Sequence, residues 1–266
     1  MDIRKFMSDP NEKPLDTIVS DGGFCSIFRT VACVGDSLSS GELEATNPHG
    51  GRVYLDFYEH SWGQYLARMC GSTVYNFSKG GMTAKQYVDS YADKMGFWDR
   101  DKACQCYIIA LGVNDIINGV CPEVGTISDV HPKNRRENAK NFIGYYAAII
   151  SHYQEIQPDA RFFLVTIPRD AENDPKAEQK QAVCQALYDL AAAFPNCYVI
   201  DLYKYGPIYD SEFRRHFHMG GHMSPTGYVL TAKMIASYID YIIRNDPEDF
   251  KQVGFIGTPY KNSNLR

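Results

Sequence analysis

The chain has 266 residues, 44% hydrophobic and 22% charged, with a formal net charge of −5. This is enough chain to bury one substantial core, so a single domain over 1–266 is expected. The charge argues against a general nucleic-acid binder, and no apolar run approaches the roughly 18 residues that a membrane span needs.

The first 21 residues are polar, with no apolar segment ahead of a small-residue cleavage site, so no signal peptide is expected. Eight cysteines fall in predicted strands, helices and loops, with no paired CxxC spacing and no disulfide framework. Free, mostly buried thiols fit a reducing compartment, which predicts a cytoplasmic protein. Cys104 and Cys106, two apart at a strand start, should point to opposite faces.

Residues 1–30 read as an N-terminal extension packed on the domain, anchored by Phe24, Ile27 and Phe28. Residues 31–34 are small and apolar and run into Gly35-Asp36-Ser37-Leu38, the pattern of a buried parallel strand ending in a turn. Residues 35–51 read as a polar loop, and an aromatic-rich segment over 54–60 follows. Ser61 should cap a helix carrying Trp62, Tyr65, Leu66 and Met69, which Gly71 ends. Residues 73–77 form a short strand, 78–82 a tight loop, and Thr83 caps a helix towards Lys94.

Residues 106–111 are the third and most apolar strand, followed at once by Gly112-Val113-Asn114-Asp115. Residues 118–133 lack periodicity and are long enough for a lid or binding loop. A helix is predicted over 135–156, a strand over 162–167, a charged loop over 168–174, a helix over 176–194 and a fifth strand over 197–201. Residues 203–221 read as irregular. The last helix opens at Ser224-Pro225, with proline in the first turn, and runs to about Arg244. The tail, 246–266, either packs on the domain or reaches a neighbouring subunit, so a homo-oligomer is open.

Five strands alternating with helices imply α/β architecture: a five-stranded parallel sheet covered on both faces and joined by right-handed crossovers. The order 2-1-3-4-5 places the Ser37 strand centrally and its switch point between strands one and three. Ligands bind at the carboxyl ends of such strands, so the loops after residues 34 and 111 should lie side by side.

Ester hydrolysis requires a nucleophile, a base for its proton and donors for the developing oxyanion. Ser37 is the candidate nucleophile, although not in a Gly-x-Ser-x-Gly elbow. Its own N–H, the N–H of Gly81 and the Asn114 amide are candidate oxyanion donors. His222, at the mouth of the last helix, is the candidate base. Asp36, Tyr58 and His218 are candidate substrate contacts. His49, His60, His131 and His152 read as surface or packing residues, and His216 and His218 flank Phe217 in a basic run. No metal cluster emerges, because His216, His218 and His222 lack acidic or thiol partners at ligand spacing. Tyr54, Phe57, Tyr58, Trp62 and Trp98 are able to stack on a sugar ring or to fill the core.

Gly35-Asp36-Ser37-Leu38, Asn76 to Thr83 aligned on Gly81, Gly112-Val113-Asn114-Asp115, and His222 with Pro225 and Gly227-Tyr228 stand in one order along the chain. Together they resemble the blocks of the SGNH hydrolases, the GDSL esterase/lipase family. The resemblance implies a flavodoxin-like three-layer α/β/α sandwich and hydrolysis of esters or thioesters through an acyl-enzyme, with no cofactor. A small-molecule ester is the implied substrate: a short acyl or acetylated-carbohydrate ester ahead of a lysophospholipid or thioester. One position departs. The family usually has Asp three residues before the histidine, and here Met219 stands there. This favours a Ser37–His222 dyad over a carboxylate from Asp210 or Glu212, and it also motivates a non-catalytic ligand-binding protein as the rival.

Overall fold

The computed structural model describes residue 7 and residues 9–262; the extension's first six residues and the tail's last four lie outside them. The central sheet contains β1 (Thr30–Gly35), β4 (Thr73–Asn76), β5 (Cys106–Ala110), β6 (Arg161–Val165) and β7 (Cys197–Ile200). Its order is β4-β1-β5-β6-β7, and every neighbouring pair is parallel. This is the expected 2-1-3-4-5 topology, with β1 between the strands that precede the other two candidate-site loops.

Alternation along the strands divides the core into two layers. Ala32, Val34, Tyr107, Ile109, Phe162 and Leu164 face one side, where helices α5 (Phe142–Ile156) and α6 (Ala177–Ala193) pack. Val31, Cys33, Cys106, Ile108, Phe163 and Val165 face the other, covered by α2 (Trp62–Cys70) and α9 (Pro225–Asn245). Cys104 and Cys106 fall on opposite sides, and all eight cysteines are buried free thiols. No helix among the described residues is long and apolar enough to cross a membrane.

Capping explains several boundaries. The Ser61 hydroxyl accepts from Gln64 N–H, and Gly71 closes α2 at φ 63°. The Thr83 hydroxyl accepts from Gln86 N–H and opens α3 (Ala84–Gln86), which continues through a π turn (Tyr87–Tyr91) into α4 (Ala92–Lys94). The helix expected over 135–156 starts later, at Phe142. The Asn141 side chain caps Gly144 N–H, and the Phe142 and Ile143 N–H groups bond the carbonyls of Glu123 and Val124. Arg135–Glu137 is only a 3-10 turn.

Three further expectations are corrected. The 35–51 loop and the aromatic segment after it contain a short helix, α1 (Ser37–Ser40), and an antiparallel hairpin of β2 (Glu42–Thr46) and β3 (Arg52–Asp56). The irregular 203–221 stretch holds α7 (Leu202–Tyr205), α8 (Ser211–Phe217) and a tight hairpin of β8 (His218–Met219) with β9 (His222–Met223). Asp201 and Asp210 cap those two helices. Phe24, expected as an anchor, is exposed; Cys25 of the same 3-10 turn (Gly23–Ile27) and Phe28, its C-cap, are buried.

The described part of the extension is tied to α9: both guanidinium –NH groups of Arg244 meet the Glu12 carboxylate at 2.8 Å, while its Nε holds Asp240 at 2.7 Å. The tail packs back on the same layer through Phe250, Val253 and Ile256.

Candidate active site

The site forms where β1 and β5 end. Gly35 hands over to Asp36, whose carboxylate accepts from Leu38 N–H and opens α1, so Ser37 occupies the first helical position. An N–H there has no acceptor within its own helix. The Ser37 Oγ lies 3.1 Å from His222 Nε2. His222 reaches it from β9, whose two-residue pairing with β8 fixes the hairpin just before α9.

Gly81 lies across the cleft at φ 71°, a left-handed conformation suited to glycine, with open space where a side chain would project. Its N–H has no protein acceptor among the described residues. Asn114 follows β5 and presents its amide to the same cleft. In the resting site that amide donates to the Met82 carbonyl at 3.1 Å and, at a longer 3.3 Å, to Asp36. Asn118 donates to the Asn114 carbonyl oxygen at 2.9 Å and holds the amide's orientation. Asp36, Ser37, Gly81, Asn114 and His222 therefore line one cleft of about 410 Å³.

Beneath it lies an apolar cavity of about 80 Å³ that shares Asp36, Leu38 and Val113 with the cleft and is closed by Trp62, Leu111, Ile167 and Met223 among others. Burial pushes the Asp36 carboxyl up to about 7. Burial likewise raises Asp115, which holds the Ala84 N–H, to about 6.

Two expected substrate contacts lie elsewhere. The Tyr58 hydroxyl donates to the Val74 carbonyl at 2.6 Å and does not line the cleft. His218 packs edge-on against Tyr209 and Phe213. Its ring nitrogens lack partners among the described residues, and burial pushes its pKa down to about 4, keeping it neutral. Of the candidate sugar-stacking rings, only Tyr54 reaches the cleft, 5.5 Å from the His222 ring. Trp62 is a core residue and Trp98 stacks on His152.

Asp210 and Glu212 do not approach His222. Asp210 caps α8, and Glu212 faces Arg215. The carboxylates beside the imidazole are Glu42, with Oε1 3.0 Å from Nε2, and Glu44, with Oε2 3.9 Å from Nδ1. Neither was singled out in the sequence. The signal was present as period-two alternation in Glu42-Leu43-Glu44-Ala45 and Arg52-Val53-Tyr54-Leu55, separated by a Pro- and Gly-bearing turn. Among the described residues no group of three or more His, Cys, Asp or Glu stands together as a metal site would require.

A parallel sheet in this order, with a serine–histidine contact at its carboxyl edge, is the arrangement of an α/β/α serine hydrolase. The chain belongs to the GDSL-like Lipase/Acylhydrolase family, whose model matches residues 33–230, and it is a carboxylic ester hydrolase. No curated protein sequence matches it significantly.

Among solved structures, a carbohydrate esterase family 2 enzyme with a carbohydrate-binding domain, from Corynascus thermopiles (Myceliophthora fergusii), superposes with a TM-score of 0.56 at 18% identity, covering 79% of this chain and 65% of that one. A family two carbohydrate esterase from Clostridium thermocellum, in complex with cellohexaose, gives 0.57 at 16%, covering 87% and 66%. The acetyl xylan esterase AlAXEase gives 0.52 at 17%, covering 79% and 99%. At such identities the likeness is one of fold.

Proposed function

We propose that this protein hydrolyses small acyl esters, with acetylated carbohydrate as the substrate class, through an acyl-enzyme on Ser37. The observation that carries the reading is the 3.1 Å contact between Ser37 Oγ and His222 Nε2 inside a cleft that also holds Gly81 and Asn114. His222 Nε2 takes the serine proton as Oγ attacks the acyl carbon. The oxyanion is held by the Ser37 and Gly81 N–H groups and by the Asn114 amide, which exchanges its long bond to Asp36 for the substrate oxygen. His222 then passes the proton to the leaving alcohol, and a water activated by the same imidazole releases the acid. The proton moves within a Ser37–His222 dyad, because Met219 supplies no carboxylate at the family's usual place.

Substrate size follows from the two spaces. The apolar cavity that shares Asp36, Leu38 and Val113 with the cleft, at about 80 Å³, suits a short acyl group and not a long chain. The wider cleft presents Glu42, Asn114, Asn118 and the Tyr54 ring, groups that hydrogen-bond and stack on a sugar. The carbohydrate-esterase neighbours support the same class. A lysophospholipid or long-chain thioester would leave its chain without an apolar groove. The buried free thiols support residence in a reducing compartment such as the cytoplasm.

A chain-length series of p-nitrophenyl esters tests the reading. The expected result is highest kcat/KM at acetyl and loss of turnover in Ser37→Ala. A steep preference for long acyl chains, or an unchanged rate in Ser37→Ala, overturns it.

A further inference from the structure

We propose that Glu44 is the positioning carboxylate of His222, reaching the imidazole from the β2–β3 hairpin in place of an aspartate on the histidine's own turn. The inference rests on the Ser37 and His222 reading above. His222 Nδ1 is screened from solvent and has no hydrogen-bond partner among the described residues. Among the described residues, Glu44 is the carboxylate within 4.0 Å of that nitrogen, its Oε2 standing 3.9 Å away.

Glu44 is not a mobile surface acid. Its side chain is 12% exposed, and both oxygens are held: Oε1 by Arg52 Nε at 2.9 Å, Oε2 by the Gly221 N–H at 2.7 Å. The second bond anchors the residue adjacent to His222, so one carboxylate fixes the turn that carries the imidazole and faces the ring's free nitrogen. Gly220 shows how closely the turn is applied. A Cβ there would lie 2.3–2.5 Å from the Glu44 carboxyl atoms, and its φ is +66°. Met219, the cross-strand partner of His222, is 43% exposed and uncharged.

The chemistry needs the proton of the resting ring held on this side. A base that accepts the Ser37 proton at Nε2 must keep its own proton on Nδ1 beforehand. As Nε2 is protonated the ring becomes cationic, Nδ1–H becomes a stronger donor, and Glu44 is placed to close the remaining distance. Catalytic hydrogen bonds that are long in a resting enzyme tighten in this way during the reaction.

The other groups facing the ring do not do this. Glu42 stands on Nε2, in competition with Ser37. Asp36 faces Asn114 and Leu38. Tyr54 offers its ring, Tyr228 donates to the Glu42 carbonyl, Arg52 holds Glu44 itself, and His218 is neutral.

The test is Glu44→Gln, which keeps an acceptor for the Gly221 N–H and removes the charge. In ¹⁵N spectra of histidine-labelled protein, neutral His222 of the wild type should carry its proton on Nδ1, and in Glu44→Gln the proton should divide between the two nitrogens. Turnover of p-nitrophenyl acetate should fall about 10- to 100-fold in kcat, as loss of an orienting partner does at other imidazoles, with KM changed less than about twofold. Glu44→Asp should recover part of the loss.

An unchanged tautomer and kcat in Glu44→Gln overturn the proposal. If that variant does not fold, Glu44→Asp is read by the same spectrum, and an unchanged Nδ1–H tautomer there overturns it equally. A wild type that turns over no ester while its Nδ1–H tautomer depends on Glu44 sinks the esterase reading alone. An active wild type indifferent to Glu44→Gln sinks only the positioning role.

Discussion

Asn114 donates its amide protons to Met82 and Asp36 in the resting site, so the proposed oxyanion donor is held by bonds of unequal length. Asn114→Ala is expected to lower kcat by about 10²–10³, the usual cost of losing one oxyanion donor, with a smaller effect on KM. Steady-state kinetics on p-nitrophenyl acetate checks this, and a loss confined to KM would contradict it. Glu42 acts in the opposite sense to a helper. Its Oε1, 3.0 Å from Nε2, competes with Ser37 for that nitrogen. Ser37, Gly81, Asn114 and His222 were legible because each follows a strand or opens a helix within a short motif. Glu42 and Glu44 were not, because their proximity to His222 spans almost 180 residues of sequence and depends on two hairpins meeting.

At the scale of elements, those hairpins are what the sequence hid. β2 and β3 alternate in polarity, yet neither has a fully buried face, so their pattern resembles that of a charged loop. The β8–β9 pair is two residues long on each side, too short for any periodicity. The parallel strands were legible for the converse reason: burial on both faces leaves unbroken apolar runs, as over 106–111. Gly220 joins the two hairpins. A side chain there meets the Glu44 carboxylate and must adopt a left-handed backbone, which costs about 1–2 kcal/mol by itself. Gly220→Ala is thus expected to lower the urea midpoint and to reduce kcat together. A variant as active and stable as wild type would show that the turn does not bear on Glu44.

For the whole molecule, the 2-1-3-4-5 order brings the ends of β1, β4 and β5 together and makes one edge of the sheet the site. The same edge carries buried acids, and they set a pH dependence. Asp36 is raised to about 7 and Asp115 to about 6, each mainly by burial, against about 3.9 for an unfolded aspartate. A raised carboxyl is protonated in the fold where it is ionised in the unfolded chain. Its contribution is fully present below about pH 4 and is lost as pH rises through its folded value. The melting temperature should therefore fall between about pH 5 and pH 8, and Asp36→Asn, which retains a capping oxygen, should flatten that slope. A wild-type slope of the opposite sign would contradict the burial of these acids.

The measurement that bears most directly on the central claim is covalent labelling of the folded protein by a fluorophosphonate, with the modified peptide identified by mass spectrometry. A nucleophile paired with His222 should give a single adduct on Ser37, absent from Ser37→Ala and strongly slowed in His222→Ala. No adduct, or an adduct on another serine that survives Ser37→Ala, would contradict Ser37 as the acyl-carrying residue.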